Sequence, residues 1–176
     1  MHLGGDQSVP DEAPMPRLAD FSTRNTHAGF SIDLSIRLDS LEPGQIILDS
    51  RTETETGIVL RTTARGTLKL VLNDGRSESG WDCDPGMLGP GKDHHLVIIV
   101  DGGPRIISFV VDGVLCDGGG ARPFGGGRLT PYLQSANGAE VLRMGPTLRG
   151  EISSLRIYDR ALLTGEAIAN HRAGAG

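Results

Sequence analysis

At 176 residues, 38% hydrophobic and 22% charged, the chain has enough apolar material for one sizeable core and fits a single domain. Its net charge of −5, with Lys and Arg scattered singly, gives no electrostatic reason to seek nucleic acid or an anionic membrane. No run approaches the roughly 20 apolar residues that span a bilayer. The 26 glycines and 10 prolines fall mostly between short apolar segments, which argues against a helix bundle and for many turns and β structure.

Residues 1–16 read as a polar tail or linker, broken by Pro10, Pro14 and Pro16 and lacking the apolar stretch of an export signal. The domain itself is expected over residues 17–176. Phe30, Ile32, Leu34, Ile36 and Leu38 alternate with polar residues, a period of two that predicts a strand with one buried face. Further strands are predicted over 45–50, 57–62, 67–73 and 76–81, the last pair joined at Asn73-Asp-Gly, a hairpin signal. After a Pro- and Gly-rich loop over 82–93, strands are expected at 94–100, 106–111 and 114–116, the last two joined by a turn at Asp112-Gly113. A flexible loop over 118–127 leads into extended structure at 129–133. A final strand covers 150–159, its phase blurred by Ser153 and Ser154. Only the end looks helical: Thr164 is a plausible N-cap, Glu166 complements the first-turn dipole, and Gly174 can stop the helix. This order of elements predicts an all-β, two-sheet antiparallel sandwich of jelly-roll type with a short C-terminal helix.

Cys83 and Cys116 lie in turn-like contexts. They are either two buried thiols or one disulfide, and the disulfide, worth about 3–4 kcal/mol by the chain-entropy model, is the sharper expectation. It places the domain in an oxidising compartment. Gly86-Met-Leu-Gly-Pro-Gly-Lys-Asp nearly spells a phosphate-binding loop, but Asp93 stands where Ser or Thr belongs and a strand follows instead of a helix. His94 and His95, as strand neighbours, point to opposite faces and do not converge on one metal. No Ser sits in a Gly-x-Ser-x-Gly setting.

Three segments carry a family pattern: His94-His-Leu-Val-Ile-Ile-Val-Asp-Gly, Phe109-Val-Val-Asp-Gly-Val and Gly150-Glu-Ile-Ser-Ser-Leu-Arg-Ile-Tyr-Asp-Arg-Ala-Leu. In order and spacing they resemble laminin-G-like, concanavalin A-like jelly-roll domains. Asp93 departs from the Trp common before the His pair. The resemblance implies two antiparallel sheets, one of them concave, in an accessory domain of a secreted bacterial glycan-active enzyme, covalently linked to a catalytic domain. Extracellular or periplasmic location follows from it. Members of the family bind glycans, bind proteins or brace a neighbouring domain. Catalytic relatives need signatures missing here: the cluster Asp49-Ser-Arg-Thr-Glu-Thr-Glu lacks the Glu-x-Asp-x-x-Glu spacing of jelly-roll glucanases, so no catalytic residue is assigned. Structural Ca2+, common in the family, would draw on Asp20, Asp82, Asp84 and Glu151.

One Trp, two Tyr and four Phe argue against an extended aromatic platform for polysaccharide. The expected ligand is a sugar chain end held in a small polar pocket. The candidates are Asp49, Arg51, Asn73, Asp74, Arg76, Trp81, Asp82 and Asp84, with Tyr132 and Asn137 outside them. In that scheme an Arg with a neighbouring Asp clamps vicinal hydroxyls, and Trp81 covers one sugar face. The alternative is a structural or protein-interaction domain without a sugar site.

Overall fold

The computed structural model describes residues 2–4, 9–18, 20–21 and 28–174. Among the described residues thirteen strands form two antiparallel sheets, followed by one helix. The seven-stranded sheet runs β1 (His2–Gly4), β13 (Gly150–Tyr158), β3 (Gly29–Leu38), β8 (Asp93–Asp101), β9 (Ile106–Val111) and β10 (Val114–Leu115), with β11 (Gly127–Arg128) also on β9. The six-stranded sheet runs β2 (Glu12–Pro14), β12 (Val141–Met144), β4 (Ile46–Asp49), β5 (Gly57–Thr62), β6 (Leu68–Asn73) and β7 (Glu78–Asp82).

The period-two pattern does what it predicts. Phe30, Ile32, Leu34, Ile36 and Leu38 all face the inter-sheet core, with Leu96, Ile98, Val100 and Phe109 beside them. From the six-stranded sheet Leu48, Ile58, Leu60, Leu70 and Leu72 complete it. The blurred phase of β13 is a β-bulge: the register with β3 shifts between Ile152 and Ser154, so Ile152, Leu155 and Ile157 all turn inward. Asp112 and Gly113, both at positive φ (50° and 76°), make the two-residue turn that pairs Val111 with Val114. His94 and His95 do point apart. His94 Nδ1 lies 2.7 Å from Asp112 Oδ2 on the core side, while His95 Nε2 lies 2.9 Å from Asp33 Oδ1 on the outer face.

That outer face of the seven-stranded sheet is covered. Helix α1 (Thr164–Gly174) and the segment before it lay Leu162 and Ala167 on Val97, Ile99 and Val110. Glu166 fastens the helix start: its carboxylate accepts from Leu163 N and from both terminal nitrogens of Arg160, each at 2.8 Å. Hydrogen bonds from Arg160 and Leu163 hold the Glu166 carboxyl at about 2, far below its usual range.

Four expectations need correction. The supposed tail supplies β1 and β2, which pair with β13 and β12 and close one edge of each sheet; Pro14 is tolerated because that edge is unpaired. Residues 1 and 5–8 of that stretch lie outside the described residues. The predicted strand at 129–133 is a loop, since Pro131 has no N–H to donate and the carbonyls of Thr130 and Leu133 accept from Arg105 at 2.7 and 2.6 Å. Strand β12 went unpredicted, its four residues too few to show a period. Finally, Cys83 and Cys116 are free thiols. Their sulfurs accept backbone hydrogen bonds from Leu68 N (3.4 Å) and Asp84 N (3.5 Å), and burial pushes the two thiols up to about 12 and about 11.

Candidate functional site

The outer face of the six-stranded sheet is where charged side chains gather. Cross-strand register sets three rows. The middle row reads Arg143, Asp49, Val59, Val71, Gly80; on one side lie Gly57, Asn73 and Glu78, on the other Arg61, Lys69 and Asp82. Val59 and Val71 are buried although they point away from the core, because the long side chains around them screen them. Arg51, Glu55, Arg61, Asn73 and Glu78 rim a hollow of about 70 Å³ over these valines.

Asp49 anchors one side. Arg51 grips it with a fork, Nε at 2.9 Å and Nη2 at 3.1 Å, Arg51 N adds a bond of 2.9 Å, and Arg143 Nη2 adds another of 2.9 Å. Burial pushes the Asp49 carboxyl up, but the hydrogen bonds and charge of Arg51, with Arg143, outweigh burial and hold it below its usual range. The far end of Arg51 reaches Glu55, which sits at a positive φ of 62° in the turn between β4 and β5. Asn73 lines the hollow and accepts from Gly75 N through its carboxamide oxygen at 2.7 Å.

Of the ten residues singled out from sequence, the fold brings Asp49, Arg51 and Asn73 together here. The others are elsewhere. Asp74 caps the β6–β7 turn, accepting from Arg76 N, Ser77 N and Gln134 N at 2.9, 2.7 and 2.8 Å. Burial raises its carboxyl, and those three backbone bonds overcompensate. Asn137 brackets Leu18, donating to its carbonyl and accepting from its N–H. Tyr132 is exposed. Trp81 turns inward opposite Leu70 and packs on the core, its Nε1 donating to Gly125 O at 2.9 Å. Asp82 and Asp84 serve Arg122, whose nitrogens reach their carboxylates at 2.7 and 2.9 Å and the Asp82 carbonyl at 2.8 Å.

Sequence reasoning missed Arg61, Lys69, Val59, Val71 and Glu78. The alternation of Val59 with Arg61 and of Lys69 with Val71 was the available signal, since i and i+2 on a strand share a face. A second, larger cavity of about 770 Å³ lies at the other sheet's edge, walled by Trp81, Ile106, Leu115 and Phe124.

Three of the four residues expected to hold Ca2+ are engaged by arginines. Arg122 already neutralises Asp82 and Asp84, and Glu151 pairs with Arg37 on β3 at 3.2 Å. Among the described residues no group of three or more His, Cys, Asp or Glu side chains is placed to hold a metal ion. No described helix is long and apolar enough to cross a membrane.

A family model described as the concanavalin A-like lectin/glucanases superfamily matches residues 12–169. The chain belongs to that superfamily. Among curated proteins none matches this sequence. Of solved structures, this concanavalin A-like domain is similar to the CBM40 domain of the Ruminococcus gnavus IT-sialidase bound to α2,3-sialyllactose, with TM-score 0.62 and 15% identity over 92% of this chain and 97% of that one. It is also similar to the type C botulinum neurotoxin whose cell entry depends on two ganglioside molecules (TM-score 0.59, 16% identity, 82% of this chain and 35% of that one). A heptameric SAP-like pentraxin from Limulus polyphemus gives TM-score 0.58 at 16% identity over 95% and 79% of the two chains. At such identities the likeness establishes a shared fold.

Proposed function

We propose that this chain is a non-catalytic carbohydrate-binding module whose ligand lies on the outer face of the six-stranded sheet. One observation carries the reading: an apolar floor of Val59, Val71 and Gly80 is ringed by hydrogen-bonding side chains on a sheet face that no helix covers, whereas α1 lies over Val97, Ile99 and Val110 on the opposite outer face. A sugar ring has that complementary form, with C–H faces flanked by hydroxyls, and polar groups around an apolar patch fix its orientation. Membership of a lectin-containing superfamily and the glycan ligands of the sialidase domain and the neurotoxin support it. Asp49 does not suit the role of a glycosidase general acid, which needs a raised pKa: this carboxyl is lowered and locked between two arginines. Within this reading the module is exported and accompanies a catalytic domain in its parent protein, as the CBM40 domain accompanies its sialidase.

A glycan array on the purified chain, followed by calorimetry, tests the assignment. Binding should be saturable, lost in Val71→Glu and kept in Phe124→Ala. Loss in Phe124→Ala alone would move the ligand to the cavity beside Trp81. A folded chain that binds no glycan would sink the module reading and favour a structural or protein-interaction domain.

A further inference from the structure

Arg61 on β5 and Lys69 on β6 are direct cross-strand partners on the outer face. Like charges placed opposite one another on a sheet are destabilising. Neither side chain makes an ion pair or hydrogen bond with a described residue. The natural counterion, Asp82, stands opposite Lys69 on β7, but its carboxylate is taken by Arg122 and by Thr67 Oγ1 at 2.7 and 2.6 Å. Arg51 and Arg143, by contrast, are matched by Asp49 and Glu55. Glu55 and Glu78 share the rim of the hollow with Arg61, but Glu55 is paired with Arg51 and neither forms an ion pair with Arg61 or Lys69. In a chain of net charge −5, two adjacent cations thus stand without an ion pair among the described residues. Breaches of local consistency of this kind gather at functional sites.

We propose that Arg61 and Lys69 together hold an anionic group carried on a sugar, a carboxylate or a sulfate ester, so that the module selects acidic glycans over neutral ones. This rests on the glycan-binding reading above. The neighbouring hollow of about 70 Å³ lies beside Arg61 and receives part of the sugar that carries this group. Gly80 makes room for the lysine, because a Cβ there would lie 2.8 Å from Lys69 Cε. The Arg61 guanidinium supplies the planar fork that suits carboxylate and sulfate alike, and Lys69 adds a point charge.

Calorimetry with sialyllactose, a glucuronate-terminated oligosaccharide, a sulfated lactose and neutral lactose tests this. At low salt at least one acidic probe should bind about tenfold tighter than lactose, the gap shrinking as salt rises. Which probes gain tells whether the carboxylate or the sulfate is the natural group. The double variant Arg61→Gln, Lys69→Gln should bind acidic probes no better than lactose, with a melting temperature no lower than the parent's because the cross-strand repulsion is relieved, while Lys69→Arg keeps the preference. If lactose and every acidic probe bind equally, the inference fails and the glycan-binding reading stands. A preference that survives in the double variant also overturns it. If no sugar binds, both fail.

Discussion

The guanidinium of Arg122 lies 4.2 Å from the centroid of the Trp81 ring while its nitrogens bridge Asp82 and Asp84. This clasp joins the Gly-rich loop to the end of β7. It holds Trp81 and the two aspartates, close in sequence, in one fixed arrangement. Gly118 N, bound to Asp84 Oδ2 at 2.9 Å, adds a second tie from the same loop.

Removing Arg122 takes the close guanidinium from two nearly buried carboxylates, 12% and 8% exposed, leaving Asp82 with Thr67 Oγ1 and a 3.8 Å pair to Arg65 and Asp84 with Gly118 N. Arg122→Ala should therefore destabilise the chain by about 3 kcal/mol, the low end for breaking a buried ion pair. Urea denaturation followed by circular dichroism measures it, and a loss under about 1 kcal/mol would mean water replaces the guanidinium freely.

Ser31 Oγ donates to Arg160 O at 3.0 Å and accepts from Leu162 N at 2.9 Å, stapling the segment before α1 to β3. Ser31→Ala strands both backbone groups, one of them buried, and should cost about 2 kcal/mol. Hydrogen exchange at Leu162 should accelerate in the variant, and unchanged protection there would contradict the staple.

Free thiols pushed up to about 12 and about 11 by burial are almost wholly protonated at pH 8. Native protein should resist an aromatic disulfide reagent, and denatured protein should release two equivalents of thiol. Reductant should leave the melting temperature unchanged. Denatured protein with no titratable thiol would mean that the cysteines are bonded.

Asp33, Asp49 and Asp74 are all held below their usual range; for Asp33, burial pushes upward but bonds from His95 and Asn170, with the charge of His95, prevail. Each contributes stability that is complete above the unfolded value near pH 4 and is lost as pH falls through the lower folded value. Thermal stability should thus decline steadily below about pH 4. Asp33→Asn should be less stable at neutral pH and lose less on acidification. A variant that declines in parallel with the parent would remove Asp33 from this account.

Much of the sandwich was legible because its signals are local. Alternation in β3, the Asp112-Gly113 turn and the Thr164–Glu166 helix start each depend on residues within a few positions of one another. The edge strands β1 and β2 were not, because their polar, proline-broken residues form strands only where β13 and β12 offer unpaired backbone. In the site, Asp49 and Arg51 were legible as neighbours two residues apart, and Asn73 as a turn residue beside them in space.

What the sequence alone determined is the alternation that makes an all-β sandwich and the family motifs of its later strands. Tertiary structure decided which polar residues are free to meet a ligand. Strand register turns Trp81 inward opposite Leu70 and sets Arg61 against Lys69, and Arg122, some forty residues away, takes up Asp82. A side chain's availability depends on partners distant along the chain, and no local pattern encodes them.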